Sequence, residues 1–441
     1  MKNAEIINKN LTGRTASVHN LGCKVNQYET DALGQMLKNA GATLVPFGET
    51  ADICVINTCS VTNIADQKSR QMIHRARQKN PDAIIVGTGC YIQTKTDLKP
   101  GDLGCDILLG TDRKSKLVEM ITELLEKRGA AAEESGSINI MDRVEDTNIL
   151  HSYEELAFST PLEHTRAFIK AEDGCNAFCS YCIIPYARGR VRSRRIADIV
   201  TEIKGLSAAG YREIVISGIH LPSFGMDTGE DLLDLIRCAH EVDGIERIRL
   251  GSLEPRVITE EFAAGLAALP KVAPHFHLSL QSGCDSVLKR MNRKYTCDEY
   301  REKCDILRRV YDKPAITTDV IVGFPGETDE EFETTRKYLE EIGFYEMHVF
   351  KFSRRHGTAA DRMDGQIPDR IKTERSHILI DLADKMSKDF IESYRGTKRT
   401  VILENECEKE GIKGRSGFTP EYIRAFVPGD TCQGDMVEVT L

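Results

Sequence analysis

Between residues 12 and 127, short apolar runs alternate with segments of helical period. TASVHNLGC, DICVINTC, AIIVGTGC and DILLG read as strands, while QYETDALGQMLKNAG, IADQKSRQMIHRARQKN and RKSKLVEMITELLEK read as helices. Strands that alternate with helices predict an open parallel α/β sheet covered on its faces. Over residues 128–160 the pattern stops. GAAAEESGSINIMDRVEDTN is small, polar and acidic, and reads as a linker. From 161 to 390 the alternation resumes with six candidate strands: RAFIKAEDG, EIVISGIH, RIRLGSLEP, HFHLSLQSG, AITTDVIVGFPG and YEMHVFKFS. Six successive β/α units predict a partial (β/α)6 barrel, whose chemistry belongs at the carboxyl ends of its strands. Residues 393–441 change again. RTVILENE, YIRAFVP and DMVEVTL, separated by Gly, Pro and charged turns, predict a small C-terminal β-barrel. The expected fold is thus an α/β multidomain chain of three folded parts and one linker.

Composition narrows the function classes. The chain has 441 residues, 41% hydrophobic and 29% charged, as a globular protein does. No stretch approaches the roughly 20 apolar residues of a membrane span. MKNAEIINKN lacks the apolar segment of a secretory signal, so a cytoplasmic protein with no membrane partner is expected. A net charge of −9 excludes a uniformly basic nucleic-acid coat, though not a local basic patch.

Fourteen cysteines in a reducing compartment call for metal ligation or catalysis before disulfides. Cys175, Cys179 and Cys182 lie within eight residues, directly after the first barrel strand. A structural zinc site built from four thiolates would need one more soft ligand nearby, and none follows. Three thiolates on a [4Fe–4S] cluster leave one iron open to an exogenous ligand. Cys23, Cys59 and Cys90 are far apart in sequence, yet each ends a predicted parallel strand. Ligands of open α/β sheets bind at that edge, so the three can converge. Cys54 and Cys105 lie within or before apolar runs, and Cys238, Cys297 and Cys304 stand alone; core or bystander roles are expected for these.

Cys175-Asn-Ala-Phe-Cys179-Ser-Tyr-Cys182 resembles the radical S-adenosylmethionine (SAM) signature. Gly-Cys23-Lys-Val-Asn26, Asn57-Thr-Cys59-Ser-Val, Gly-Cys90 and Ser353-Arg-Arg355-His-Gly357-Thr358-Ala-Ala360 resemble the methylthiotransferase family within that superfamily, and the likeness runs over nearly the whole chain. The resemblance implies a radical SAM barrel, a C-terminal TRAM domain and two [4Fe–4S] clusters. Cys175, Cys179 and Cys182 would hold the SAM-bound cluster, and Cys23, Cys59 and Cys90 the auxiliary one. Asn26, Asn57 and Ser60 would then tune the auxiliary cluster or merely cap local structure. It further implies a SAM pocket from Tyr181, against the adenine, with Ser217, Gly218, Ser252, Glu254, Gln281 and Asp319 at strand ends. Arg293 would either meet the SAM carboxylate or end a helix as a solvated cation.

The implied substrate is a tRNA base in the anticodon stem-loop, and the implied second partner a low-potential electron donor. GCKVNQYE resembles the branch that acts on N6-threonylcarbamoyladenosine; other branches act on isopentenyladenosine or a ribosomal-protein aspartate. Arg188, Arg190, Arg192 and Arg194 stand in YARGRVRSRR, which either meets phosphates or is a solvated loop or held in internal ion pairs. Lys413, Arg415 and Arg424 in the tail are further RNA candidates, with Phe418, Tyr422 and Phe426 available to stack on bases or to fill the core.

Overall fold

A computed structural model describes residues 10–95, 97–99, 101–130, 140–142, 147–156 and 165–441. Much of the expected linker lies outside these. The described residues pack as two units. One lies within Met1–Leu162 and adds Glu172–Asn176 and Cys182–Arg194; the other takes Glu163–Ala171, Ala177–Tyr181 and Arg195–Leu441.

The first unit is built on a parallel sheet. Its spatial order is Thr43–Leu44, Thr15–Asn20, Ile53–Thr58, Ile84–Gly89, Ile107–Leu109, Ile140–Asp142. Every residue of the two central strands is buried, which is why they read as unbroken apolar runs. Side chains alternate between faces. Ile53 and Val55 join Leu33, Leu37, Ile121 and Leu124 in one core; Cys54 and Ile56 join Ile73, Ala76 and Cys105 in the other. Cys54 and Cys105 are therefore core residues, as expected. The strand Ile140–Asp142 falls inside the expected linker and forms the sheet edge beside Ile107–Leu109.

The second unit holds six barrel strands: Arg166–Asp173 (its last two residues belong to the first unit), Glu213–Gly218, Arg247–Leu250, His275–His277, Ala315–Val322 and Glu346–Lys351. Neighbours from Glu213–Gly218 onward run parallel. The parallel bridges Ile248↔Val272 and Leu253↔Leu278 join the two short sheets into one curled half-barrel. Ile214, Ile216, Ile248, Phe276, Leu278, Ile316 and Val320 point outward into a core shared with Ile199, Ile203, Leu235, Leu307 and Leu339 of the surrounding helices. Residues at the alternate positions face inward, and several are polar. Helices Cys297–Val310 and Asp329–Ile342 begin with reciprocal capping boxes, Thr296 with Glu299 and Thr328 with Glu331.

The tail forms an antiparallel sheet ordered Arg424–Pro428, Ile412–Phe418, Lys398–Lys409, Met436–Thr440. It closes the amino end of the barrel. Arg247 donates to the carbonyls of Phe418 and Thr400, and Arg249 to those of Thr419 and Pro420, while Glu213 accepts from both guanidiniums. Tyr422, at φ +71°, stacks between Phe418 and His275 with ring centroids 4.4 and 4.8 Å away, and Arg166 donates to its hydroxyl at 3.0 Å. Phe418 and Tyr422 are thus packing residues, the second of the two roles expected for them. Arg415 and Arg424 are also engaged within the sheet: Arg415 by the carbonyls of Glu404 and Thr431 and by Glu406, Arg424 by the Ser416 hydroxyl. No helix is long and apolar enough to cross a membrane among the described residues.

Candidate cluster sites

Each cysteine of the N-terminal triplet sits where a strand hands over to a helix or turn. Cys23 is the N-cap of helix Lys24–Asn39, Cys59 follows strand Ile53–Thr58, and Cys90 opens helix Cys90–Thr94. Glycine makes the close approach possible. A Cβ on Gly22, which has φ +128°, would stand 3.1 Å from the Cys59 sulfur, and one on Gly89 would stand 2.4 Å from the Thr58 carbonyl. Burial, then the neighbouring Cys90 and Cys23 thiols, push the Cys59 thiol up to about 12. So the three sulfurs share one environment, and burial makes the bare Cys23 and Cys59 thiols resist ionisation; a bound metal centre supplies the positive charge that thiolates need. All three thiols are free of disulfides. By donor type, their shared environment and the close approach that Gly22 allows, the residues fit an iron–sulfur cluster.

The expectation that Arg188 meets RNA phosphates is corrected, because the residue is wholly buried in the first unit. Its Nε donates to the Cys90 sulfur at 3.3 Å. Its two terminal nitrogens bridge Glu29 at 2.5 and 3.0 Å, and reach Asn26 Oδ1 at 2.6 Å and Asp173 at 3.2 Å. Lys114, equally buried, lies 3.2 Å from Glu29. Two cations and the Glu29 and Asp173 carboxylates thus form a satisfied network beside the thiols. Arg192 and Arg194 are also buried. Arg192 donates to the carbonyls of Arg188 and Arg190, and Arg194 pairs with Glu155 at 2.8 Å. Of the four arginines assigned to RNA, only Arg190 is exposed. Asn26 links the strand ends by donating to the carbonyls of Leu21 and Thr58, and Ser60 donates to Asp66 at 2.8 Å.

The loop that carries the central triplet is held by backbone contacts on both sides. Cys175 N–H donates to the Gly189 carbonyl in the first unit. In the second unit, Ser180 N–H and Oγ donate to the carbonyls of Met291 and Arg290, and Asn292 Nδ2 donates to Phe178 O at 2.9 Å. Phe178 sits at φ +48°, a left-handed turn that aims the next residue, Cys179. Arg293 Nη1 donates to the Cys179 sulfur at 3.2 Å and its Nε to the Tyr295 hydroxyl. Arg293 is therefore no solvated helix end. It places a fixed positive charge at one cysteine of the loop.

Around the barrel rim, Tyr181 packs with Phe324, Phe352 and Ala360. Ser217 is buried and its Oγ has no hydrogen-bond partner, a polar atom placed as for a ligand. Gly218 ends the same strand, Ser252 is exposed, and Ser282 is held by Thr335. Gln281 adopts φ +75° while bridging Val320, a strained conformation of the kind that collects at functional sites. His220, which the sequence did not single out, joins Ser223 and Glu254 through its two ring nitrogens at 2.6 and 3.0 Å.

Burial would raise the Glu254 carboxyl, but hydrogen bonds from His220 and Arg256 outweigh it and hold it down at about 2. A depressed carboxylate adds stability in full above its unfolded value of roughly 4.3 and loses it as the pH falls toward 2. Glu254→Gln is therefore expected to flatten the acid limb of a denaturant-stability profile between about pH 4 and pH 2. A limb unchanged by the substitution would refute this coupling.

Residues 171–339 match the Radical SAM superfamily, and residues 15–110 match the uncharacterized protein family UPF0004. The threonylcarbamoyladenosine tRNA methylthiotransferase MtaB of Bacillus subtilis (strain 168) is 40% identical over 437 residues, covering 97% of this chain and 93% of that one. The MtaB of Aquifex aeolicus (strain VF5) is 38% identical, with 89% and 96% covered. The tRNA-2-methylthio-N(6)-dimethylallyladenosine synthase of Thermoanaerobacter sp. (strain X514) is 34% identical, with 96% and 89% covered. Among solved structures, the radical SAM methyltransferase TsrM of Kitasatospora setae shares the fold, with a TM-score of 0.57 at 18% identity over 77% of this chain and 73% of that one. The thiol sites, the half-barrel and these relatives together place the chain in the family of radical SAM tRNA methylthiotransferases.

Proposed function

We propose that this protein transfers a methylthio group to C2 of N6-threonylcarbamoyladenosine at position 37 of tRNA, in the cytoplasm, with electrons from a low-potential donor. The observation that carries the reading is the second thiol site. Cys23, Cys59 and Cys90 share one environment beside a buried guanidinium, in addition to the radical loop. When bound, the two [4Fe–4S] clusters and SAM supply the radical and the sulfur-carrying iron. The chain's own residues do the rest. Cys175, Cys179 and Cys182 hold one cluster, and Arg293 charges the Cys179 position. Cys23, Cys59 and Cys90 hold the other, and Arg188 offsets its negative charge from a fixed, dry position. Ser217, Gly218, Gln281 and Tyr181 supply the SAM pocket. Arg190 and Lys413, both exposed, are the residues suited to phosphate contact on the anticodon stem-loop. An anticodon-loop base is already unpaired, so bringing it to the barrel costs little.

Branch choice rests on relatives that carry the threonylcarbamoyladenosine name at higher identity than those that carry the dimethylallyl name. Nucleoside mass spectrometry of tRNA from cells lacking this chain tests it. The 2-methylthio group should vanish from threonylcarbamoyladenosine and persist on isopentenyladenosine; the reverse pattern would assign the other branch. At the level of chemistry, Cys179→Ala should abolish reductive SAM cleavage, read as 5′-deoxyadenosine formation, whether or not tRNA is present. Cleavage at the wild-type rate would remove Cys179 from the radical site.

A further inference from the structure

Three neighbouring barrel strands each present one metal-type ligand on the same face. His277 ends His275–His277, Asp319 lies in Ala315–Val322, and His348 in Glu346–Lys351. The parallel register sets Asp319 directly beside His348, and His277 beside Thr317, two residues from Asp319 on the same face. Phe276, Leu278, Val320 and Met347, their chain neighbours, point the other way into the hydrophobic core. One ligand atom from each of the three residues falls within 4.8 Å of the other two. His277 Nε2 and Asp319 Oδ2 stand 3.3 Å apart. Ligands around an ion at bond lengths of roughly 2.0–2.2 Å are separated by about 3–3.5 Å, so this pair is already at coordination spacing.

We propose that His277, Asp319 and His348 form a site for a divalent first-row transition ion built without any of the six cluster cysteines, which reassigns Asp319 from the SAM pocket that the resemblance implied. Two imidazoles and one carboxylate on one side of an ion leave its other side open, the arrangement that suits iron(II) or zinc rather than calcium or magnesium. The orientation of His277 is built in. Its Nδ1 is engaged by the Thr317 hydroxyl at 3.0 Å, which turns Nε2 toward Asp319, as the outer partner of a metal-bound histidine does. His277 and Asp319 are only partly exposed, with side chains at 12% and 27%, while His348 is open to solvent, so an ion has both a wall and an entry path.

The test uses full-length protein with both clusters loaded under anaerobic conditions, exchanged against zinc chloride and freed of excess by gel filtration. Metal analysis by inductively coupled plasma mass spectrometry should find one zinc per chain above the iron. Asp319→Ala and His348→Ala should lose that zinc and keep the wild-type iron content. Thr317→Val, which removes only the outer partner, should retain the site with zinc affinity weakened about 10–100-fold. His348 is exposed, so its alanine variant reports on the site even if Asp319→Ala disturbs folding. Wild-type protein without the extra zinc, or variants that retain it, would overturn the proposal and leave the three residues as an ion-paired cluster.

Discussion

Replacing Cys59 with alanine is expected to stop methylthiolation completely while SAM cleavage continues. The argument rests on where Cys59 sits. Its sulfur belongs to the environment of Cys23 and Cys90, beside the backbone of Gly22. A cluster held by three thiolates does not survive on two, so iron should fall from about eight to about four per chain. The remaining cluster still accepts an electron and still binds SAM. Cleavage then runs uncoupled, and 5′-deoxyadenosine accumulates without modified tRNA. Two measurements decide it: iron and sulfide per chain, and the ratio of 5′-deoxyadenosine to methylthio product. Modified tRNA at wild-type levels from Cys59→Ala would reject the role given to this site.

Arg188→Ala is expected to be the most damaging substitution outside the cysteines. Arg188 is fully buried and bridges both oxygens of Glu29, itself fully buried, while also reaching Asn26, Asp173 and Cys90. Truncation takes the guanidinium from Glu29, which keeps Lys114 at 3.2 Å, and from Asp173, which keeps Arg192 at 3.7 Å. Breaking a buried ion pair on one side costs about 3–5 kcal/mol, so the melting temperature should drop by about 10 °C. Arg188→Lys should rescue only a fraction, because one ammonium cannot bridge a carboxylate and reach a sulfur at once. Iron should be lost selectively from the auxiliary cluster, since the guanidinium that faces Cys90 is gone. A variant that melts like wild type with full iron content would show that the network is dispensable.

The two outcomes bear on what the chain discloses before folding. Strand positions were legible, and apolar runs of strand length end in Cys at Cys23, Cys59 and Cys90. Parallel sheets gather such ends along one edge, so a spacing that looks arbitrary in sequence becomes proximity in space. The partners of Arg188 were not legible. Charge density in YARGRVRSRR says how many cations are present, but their partners come from elsewhere, Glu29 being 159 positions away. The edge strand Ile140–Asp142 escaped notice for a different reason. Three residues in a polar, small-residue stretch carry no periodic signal, and only the waiting edge of Ile107–Leu109 makes them a strand. The inward histidines of the barrel were hidden by alternation. HFHLSL and YEMHVF read as half-buried strands, and the pattern does not say that His277 and His348 would share a face with Asp319.

The contacts of Arg247 and Arg249 with the tail carry a lesson for anyone who would shorten or exchange it. Four main-chain oxygens, from Thr400, Phe418, Thr419 and Pro420, complete the hydrogen bonding of two guanidiniums that emerge from the interior of the barrel. Truncating before residue 398 would strip those acceptors at one stroke and leave the cations to share Glu213 between them. The barrel is thus stoppered by its own carboxyl-terminal segment, and catalytic core and appendage behave as one folding unit. Chimeras that swap tails between relatives should succeed only when the backbone path through residues 418–420 is preserved, whatever side chains the exchange brings.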